Sequence, residues 1–72
     1  MMGSMLTYTQ ARDDAGLMRE YVLQTYGGVL TYGGLSGSYW AGMRMVNRLA
    51  RMTGMTRAQV LSDIRNDVEA EG

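Results

Sequence analysis

The chain has 72 residues, which bounds it to one small domain, and a chain of this size buries only ~60% of the surface it exposes when unfolded. It holds no Cys and no His, so a disulfide staple and the usual zinc ligand sets are excluded, and self-association is the stabilising device left to expect. The formal net charge is zero, but a basic middle and an acidic end are hidden in it: residues 40–57 carry Arg44, Arg48, Arg51 and Arg57 with no acid, and residues 58–72 set Arg65 against Asp63, Asp67, Glu69 and Glu71.

Residues 1–4 are set aside as a disordered start or cloning scar, and residues 5–72 are read as a single helical domain. The first residues show neither a basic stretch nor an apolar one, so no export signal is expected and the cytoplasm is the expected compartment. Thr7, followed three residues later by Gln10, has the pattern of a capping box, with Leu6 and Ala11 placed to staple the helix start. From there Ala11, Ala15, Met18, Val22 and Tyr26 recur at helical spacing and predict one amphipathic helix, with Asp13 and Asp14 favourably near its amino end. Leu17 and Tyr21 add a second, smaller apolar strip. Gly27-Gly28 is expected to stop this helix.

The glycine-rich block Thr25–Trp40 then reads as the connection to a second helix. Two arrangements are open for it. Val29–Tyr32 pairs with Leu35–Ser38 as a short hairpin around Gly33-Gly34, or the segment forms a compact loop whose Val29, Leu30 and Leu35 plug the core. The loop is preferred, because an isolated hairpin is marginal in water. The run Tyr21–Met43 carries no charge, yet its six glycines and many hydroxyls argue against a membrane span, and no membrane contact is expected.

Ser36 or Ser38 is placed to cap a second helix that runs to Met52, with Gly54 in the left-handed position beyond it. Around this helix Arg44, Asn47, Arg48 and Arg51 fall within ~100° of arc, with Trp40 one turn before them. Met43, Met45, Val46, Leu49, Ala50 and Met52 fill the other side. Thr56 caps a third helix from Arg57 to about Ala70, with Val60, Leu61, Ile64 and Val68 as its apolar stripe. The expected fold is all-α: a small three-helix domain with a Gly-rich connection between its first two helices.

No catalytic or cofactor motif stands out. No phosphate-cradling glycine loop is present, there is no Lys, and the common bases and nucleophiles are absent apart from carboxylates and hydroxyls, so neither enzyme activity nor a cofactor is expected. Asp63 and Asp67 share a helix face at i, i+4 and would hold a divalent ion only loosely; a solvated helix surface is the better reading.

The Arg stripe is the main chemical signal. Guanidinium binds phosphate or a guanine edge through two parallel hydrogen bonds, Asn does the same for adenine, and Trp stacks on bases. Arg48 through Ile64 resembles a helix-turn-helix unit. Ala50 stands at the small position of the first helix, Gly54 at the turn, Met55 at the apolar residue after it and Val60 at the buried position of the second helix. Asp63 departs from the pattern, standing where an apolar residue is usual, with Ile64 one step late. Residues Leu49 to Arg57 are also similar to the paired helices of ribbon-helix-helix repressors, in which the glycine block would have to supply the strand. These resemblances imply a small DNA-binding regulatory domain, dimeric, that acts in transcription regulation and binds double-stranded DNA. Arg44, Arg48, Arg51 and Arg57 would lie on phosphates, and Asn47 and Gln59 would read bases. The alternative is a helical protein–protein interaction module with no nucleic-acid role, in which a Met/Tyr apolar surface holds a partner or a second copy and the Arg stripe is a solvated or salt-bridged face.

Overall fold

The computed structural model describes residues 6–71, so the reading of residues 1–4 as a disordered start or scar lies outside it. The described residues form four α-helices and no strand: α1 (Tyr8–Ala11), α2 (Ala15–Tyr32), α3 (Gly37–Thr53) and α4 (Arg57–Glu71). The all-α expectation holds; the helix count does not. What was expected as one first helix is two, divided at Arg12–Asp14.

The division follows from two competing caps. The Thr7 hydroxyl accepts the Gln10 amide at 3.2 Å while the Gln10 side chain accepts the Thr7 amide at 2.9 Å, so α1 starts with the capping box expected for it. One turn later Asp14 starts a helix of its own. Its carboxylate accepts the Leu17 amide at 3.1 Å from an extended backbone conformation, which suits a residue that favours caps over helix interiors. The bend seats Ala11 in the core, fully buried.

Gly27-Gly28 does not stop α2, which continues to Tyr32. Packing overrides propensity here. A Cβ on Gly27 would come within 2.9 Å of Val68 Cγ2, so this glycine lets α4 lie close against α2. Gly42 does the same for α3, since a Cβ there would meet Tyr26 Cβ at 3.0 Å and Leu30 Cγ at 3.2 Å. Neither the hairpin nor the compact loop forms, because Val29–Tyr32 is the last turn of α2. Leu30 is buried as expected of it, but Leu35 is 76% exposed and plugs nothing. The connection from α2 to α3 shrinks to Gly33–Ser36. At the α2 end the Gly33 amide donates to Val29 O at 2.9 Å, and Arg65 of α4 reaches over to donate to Leu30 O at 2.9 Å, satisfying a carbonyl that the helix leaves without a partner.

Ser36 caps α3 by accepting the Tyr39 amide at 3.2 Å. Gly54 ends α3 in the left-handed region, at φ 77°, with its amide on Ala50 O at 2.9 Å. Thr56 and Gln59 form a second capping box at the start of α4: the Thr56 hydroxyl accepts the Gln59 amide at 3.1 Å and the Gln59 carbonyl oxygen accepts the Thr56 amide at 3.0 Å.

α2 is the centre of the bundle and packs against each of the other three helices. The core consists of Ala11, Met18, Val22, Leu30, Val46, Leu49, Ala50, Val60 and Ile64. All nine are apolar, and no buried residue is polar or charged among those described. Arg19 of α2 clamps α4 from outside this core: its Nε donates to Asp63 at 2.8 Å and its Nη2 donates to Asp67 at 2.6 Å. No described helix is long and apolar enough to cross a membrane.

Candidate nucleic-acid interface

The C-terminal turn of α3, the Gly54–Thr56 connection and the first turn of α4 enclose an open groove of about 410 Å³, lined by Asn47, Ala50, Arg51, Gly54, Met55 and Arg57. Three of the six residues expected on a nucleic-acid surface therefore share one concavity. Arg51 reaches it from α3 and Arg57 from α4, and both are exposed. Among the described residues neither makes an ion pair, and neither does Arg44. Asn47 is half-buried at the inner wall, and its Oδ1 is buried with no hydrogen-bond partner. Arg44 is exposed seven residues before Arg51, about 10 Å up the helix. Trp40 lies one turn further up, 57% exposed, with its ring edge-on to Tyr39 at 5.5 Å.

Arg48 and Gln59 are engaged elsewhere. Arg48 turns toward the amino end of the chain, where it donates to Arg12 O at 2.7 Å, lies 5.7 Å from the Tyr8 ring centroid and stands 4.0 Å from Asp13. It ties α1 to α3, an ordinary use of a guanidinium on an aromatic face. Gln59 spends its carbonyl oxygen on the Thr56 amide and hydroxyl. Its free amide group still lies on the surface, beside a face that sequence reasoning missed. Ala58, Ser62 and Asn66 recur every fourth residue on the exposed side of α4 and line a shallow surface with Met55, Gln59 and Asp63. The signal was their spacing opposite Val60 and Ile64, and it was masked by the acids interleaved with them.

Two of those acids belong to the fold. Asp63 and Asp67 lean toward α2 and share Arg19, and they pair with α2 rather than with the Arg stripe of α3. The Arg19 hydrogen bond holds the Asp63 carboxyl below its ordinary pKa. The same bonds, from Asp63 first and then Asp67, hold the Arg19 guanidinium above its own. Tyr21, edge-on to Tyr8 and Tyr26 at 6.1 Å each, is pushed up by burial and then by Tyr26. No group of three or more His, Cys, Asp or Glu is placed to hold a metal ion among the described residues.

At the positions of the helix-turn-helix resemblance, Ala50 and Val60 are buried, Gly54 has its positive φ and Met55 is 38% exposed. The strand that a ribbon-helix-helix arrangement needs is absent from the described residues. Comparison with known protein families, with curated proteins and with solved structures returns no match to this chain.

Proposed function

We propose that the protein is a small DNA-binding regulatory domain that docks on the duplex with the α3–α4 unit. The observation that carries this reading is the groove across the α3–α4 turn, where the exposed and unpaired Arg51 and Arg57 converge from two helices. Two guanidiniums on one concave surface fit the sugar-phosphate backbone, which supplies most of the sequence-independent affinity in such complexes. Arg44 extends the contact along α3. The Arg19 clamp supports the reading from the other side, because it pairs Asp63 and Asp67 with a cation of α2, beside the exposed Ala58, Gln59, Ser62 and Asn66. Small and amide side chains at that spacing can approach base edges in a major groove. Arg48 drops out of the phosphate set because its guanidinium fastens α1.

Anisotropy of a labelled duplex, titrated with protein at several salt concentrations, tests this. Three phosphate contacts, from Arg44, Arg51 and Arg57, give a log–log salt slope of about −2.7. The double substitution Arg51→Glu with Arg57→Glu removes binding and leaves the helical spectrum unchanged. Absence of binding at low salt, or binding that the double variant keeps, sinks the proposal. The alternative, an interaction module without a nucleic-acid role, draws on a different observation: the apolar side chains left exposed where α2 turns into α3.

A further inference from the structure

α2 begins with two small residues, Ala15 and Gly16, where it passes the end of α3 and the start of α4. The space they leave is a half-open hollow of about 190 Å³. α3 contributes Leu49 and Thr53 to its wall, the connection contributes Met55 and α4 contributes Val60. Leu49 and Val60 are core residues, so the hollow continues the core outward. The Thr53 hydroxyl adds no free polarity, because it donates to Leu49 O at 2.8 Å and accepts the Met55 amide at 3.3 Å. The expected Met/Tyr surface is corrected by the same packing. Met43, Met45 and Met52 pack against the core, and Met55, 38% exposed, is left partly outside on the wall of this hollow. An apolar cavity of about 150 Å³ takes up benzene, so this one has room for a single ring and a short side chain. A helix, about 10 Å across, does not fit it.

The charge at its edge says which class of molecule fits. The charged members of the wall are Arg19 and Asp63. Arg19 is shared by two carboxylates, Asp63 and Asp67, which leaves one negative charge over. Asp14 adds another on the α2 side, its Oδ1 lying 3.4 Å from where a Cβ on Gly16 would stand. Arg19 bonds Asp63 through Oδ2, and Oδ1 receives no hydrogen bond from a described residue. The free guanidiniums do not join this wall. Arg51 and Arg57 line the groove described above, and at 100° per residue Leu49 and Thr53 fall on the far side of α3 from Asn47 and Arg51. An apolar hollow edged by surplus negative charge favours an organic cation. The apolar body enters, and the ammonium stays at the wet edge, where it is attracted without losing its water. An anion is repelled at the same edge, so this hollow and the Arg groove select ligands of opposite sign.

We infer that this hollow binds a small organic cation, one aromatic or branched apolar body carrying a primary ammonium, with the body against Leu49, Met55 and Val60 and the ammonium at Asp63. The inference goes beyond DNA binding and does not rest on it.

Amide ¹H–¹⁵N spectra of the labelled full chain, without nucleic acid, test the inference by titration with three probes of one shape: benzylammonium, benzyl alcohol and benzoate. The expected result is saturable shifts with benzylammonium at Gly16, Leu49, Met55, Val60 and Asp63, with a dissociation constant on the order of 1 mM. Benzyl alcohol binds about two- to fivefold more weakly, the usual effect of one exposed charge pair, and benzoate more weakly again. Gly16→Leu closes the hollow and removes binding of the amine and the alcohol alike. Gly16 is exposed, has an ordinary backbone conformation and meets nothing closer than Asp14 Oδ1, so the spectrum away from the hollow stays that of the folded chain. Asp63→Asn keeps the alcohol and leaves the amine binding no tighter than the alcohol. Absence of saturable shifts with benzylammonium overturns the inference. So does binding that Gly16→Leu keeps, an alcohol or benzoate that binds as tightly as the amine, or shifts that centre on Glu69 and Glu71, which would mean a cation held by exposed carboxylates alone.

Discussion

Two short connections flank α3, and they are built alike but serve unlike surfaces. Gly33–Ser36 joins it to α2, and Gly54–Thr56 joins it to α4. Each opens with a glycine whose amide closes the preceding helix, and each ends with a hydroxyl that accepts an amide of the next. The chemistry around them is opposite: three exposed apolar side chains and no charge at one, two exposed guanidiniums in a groove at the other. The local chemistry that turns a chain is thus independent of what the turn displays. α3 acts as a strut that holds an uncharged end and a basic end about 21 Å apart.

The two ends also differ in what fixes them, and substitution separates the causes. At the uncharged end the constraint is tertiary: α3 approaches α2 closely at Gly42, against Tyr26 and Leu30. Gly42→Leu is expected to cost about 3 kcal/mol of unfolding free energy, the upper end of overpacking penalties, measured by urea titration at unchanged slope. At the basic end the constraint is local. Gly54 has φ 77° and open space where a side chain would stand, so Gly54→Ala meets backbone strain alone and costs about 1 kcal/mol. If Gly54→Ala proved the more damaging of the two, the contrast between a packed end and a locally closed end would be wrong.

This contrast explains how much of the molecule was legible in its sequence. The basic end was readable because its signals are local: a lone Gly54 after an apolar period, then Thr56 three residues before Gln59. The same holds for the Thr7–Gln10 box and for the apolar stripes, whose buried members include Met18, Val22, Val46, Leu49, Val60 and Ile64. The glycine block was misread because its glycines do different work that only the partner helix reveals. Gly27 and Gly42 admit a neighbour, Gly33 closes a helix, and Gly28 does neither. The spacing that runs Met18, Val22, Tyr26 and on to Leu30 was the available clue that α2 continues. In the candidate site, Asn47, Arg51 and Arg57 come together as their positions on two helices imply. Arg48 was not legible as a fold contact, because Arg12 O and Tyr8, which it meets, are 36 and 40 residues away in the chain.

Gly28 sharpens the contrast in the other direction. It lies inside α2, exposed, with open space around its Cα on the outer face. Nothing in the bundle uses its small size, so it keeps only the cost of a glycine in a helix. Gly28→Ala is expected to stabilise the fold by roughly 0.5–1 kcal/mol and raise the melting temperature, whereas alanine at Gly27 meets Val68 and gains less. Equal gains at the two positions would mean that α4 has room to move away from α2 at no cost.

The smallest expected effect lies beside the basic end, where Arg19 clamps α4. Its hydrogen bond holds the Asp63 carboxyl below the value of about 3.9 that the unfolded chain has. A depressed carboxyl pKa adds stability above the unfolded value, and that stability is lost as pH falls through the folded one. The clamp therefore contributes fully above about pH 5 and fades below it. The Asp63 side chain is 46% exposed, so water screens the pair and the contribution is a fraction of that of a buried one. Comparing the wild-type chain with Asp63→Asn isolates it, because a protonated Asp and an Asn are alike in charge and size. The urea midpoints are expected to differ at pH 7, with the wild type higher, and to converge toward pH 3. Hydrogen exchange gives the clamp a place as well as a size: acid should speed exchange in α4 before it affects the α2–α3 corner, where no carboxylate takes part. A uniform acid response in both regions would mean that the two ends of α3 open together, and that the strut does not insulate one from the other.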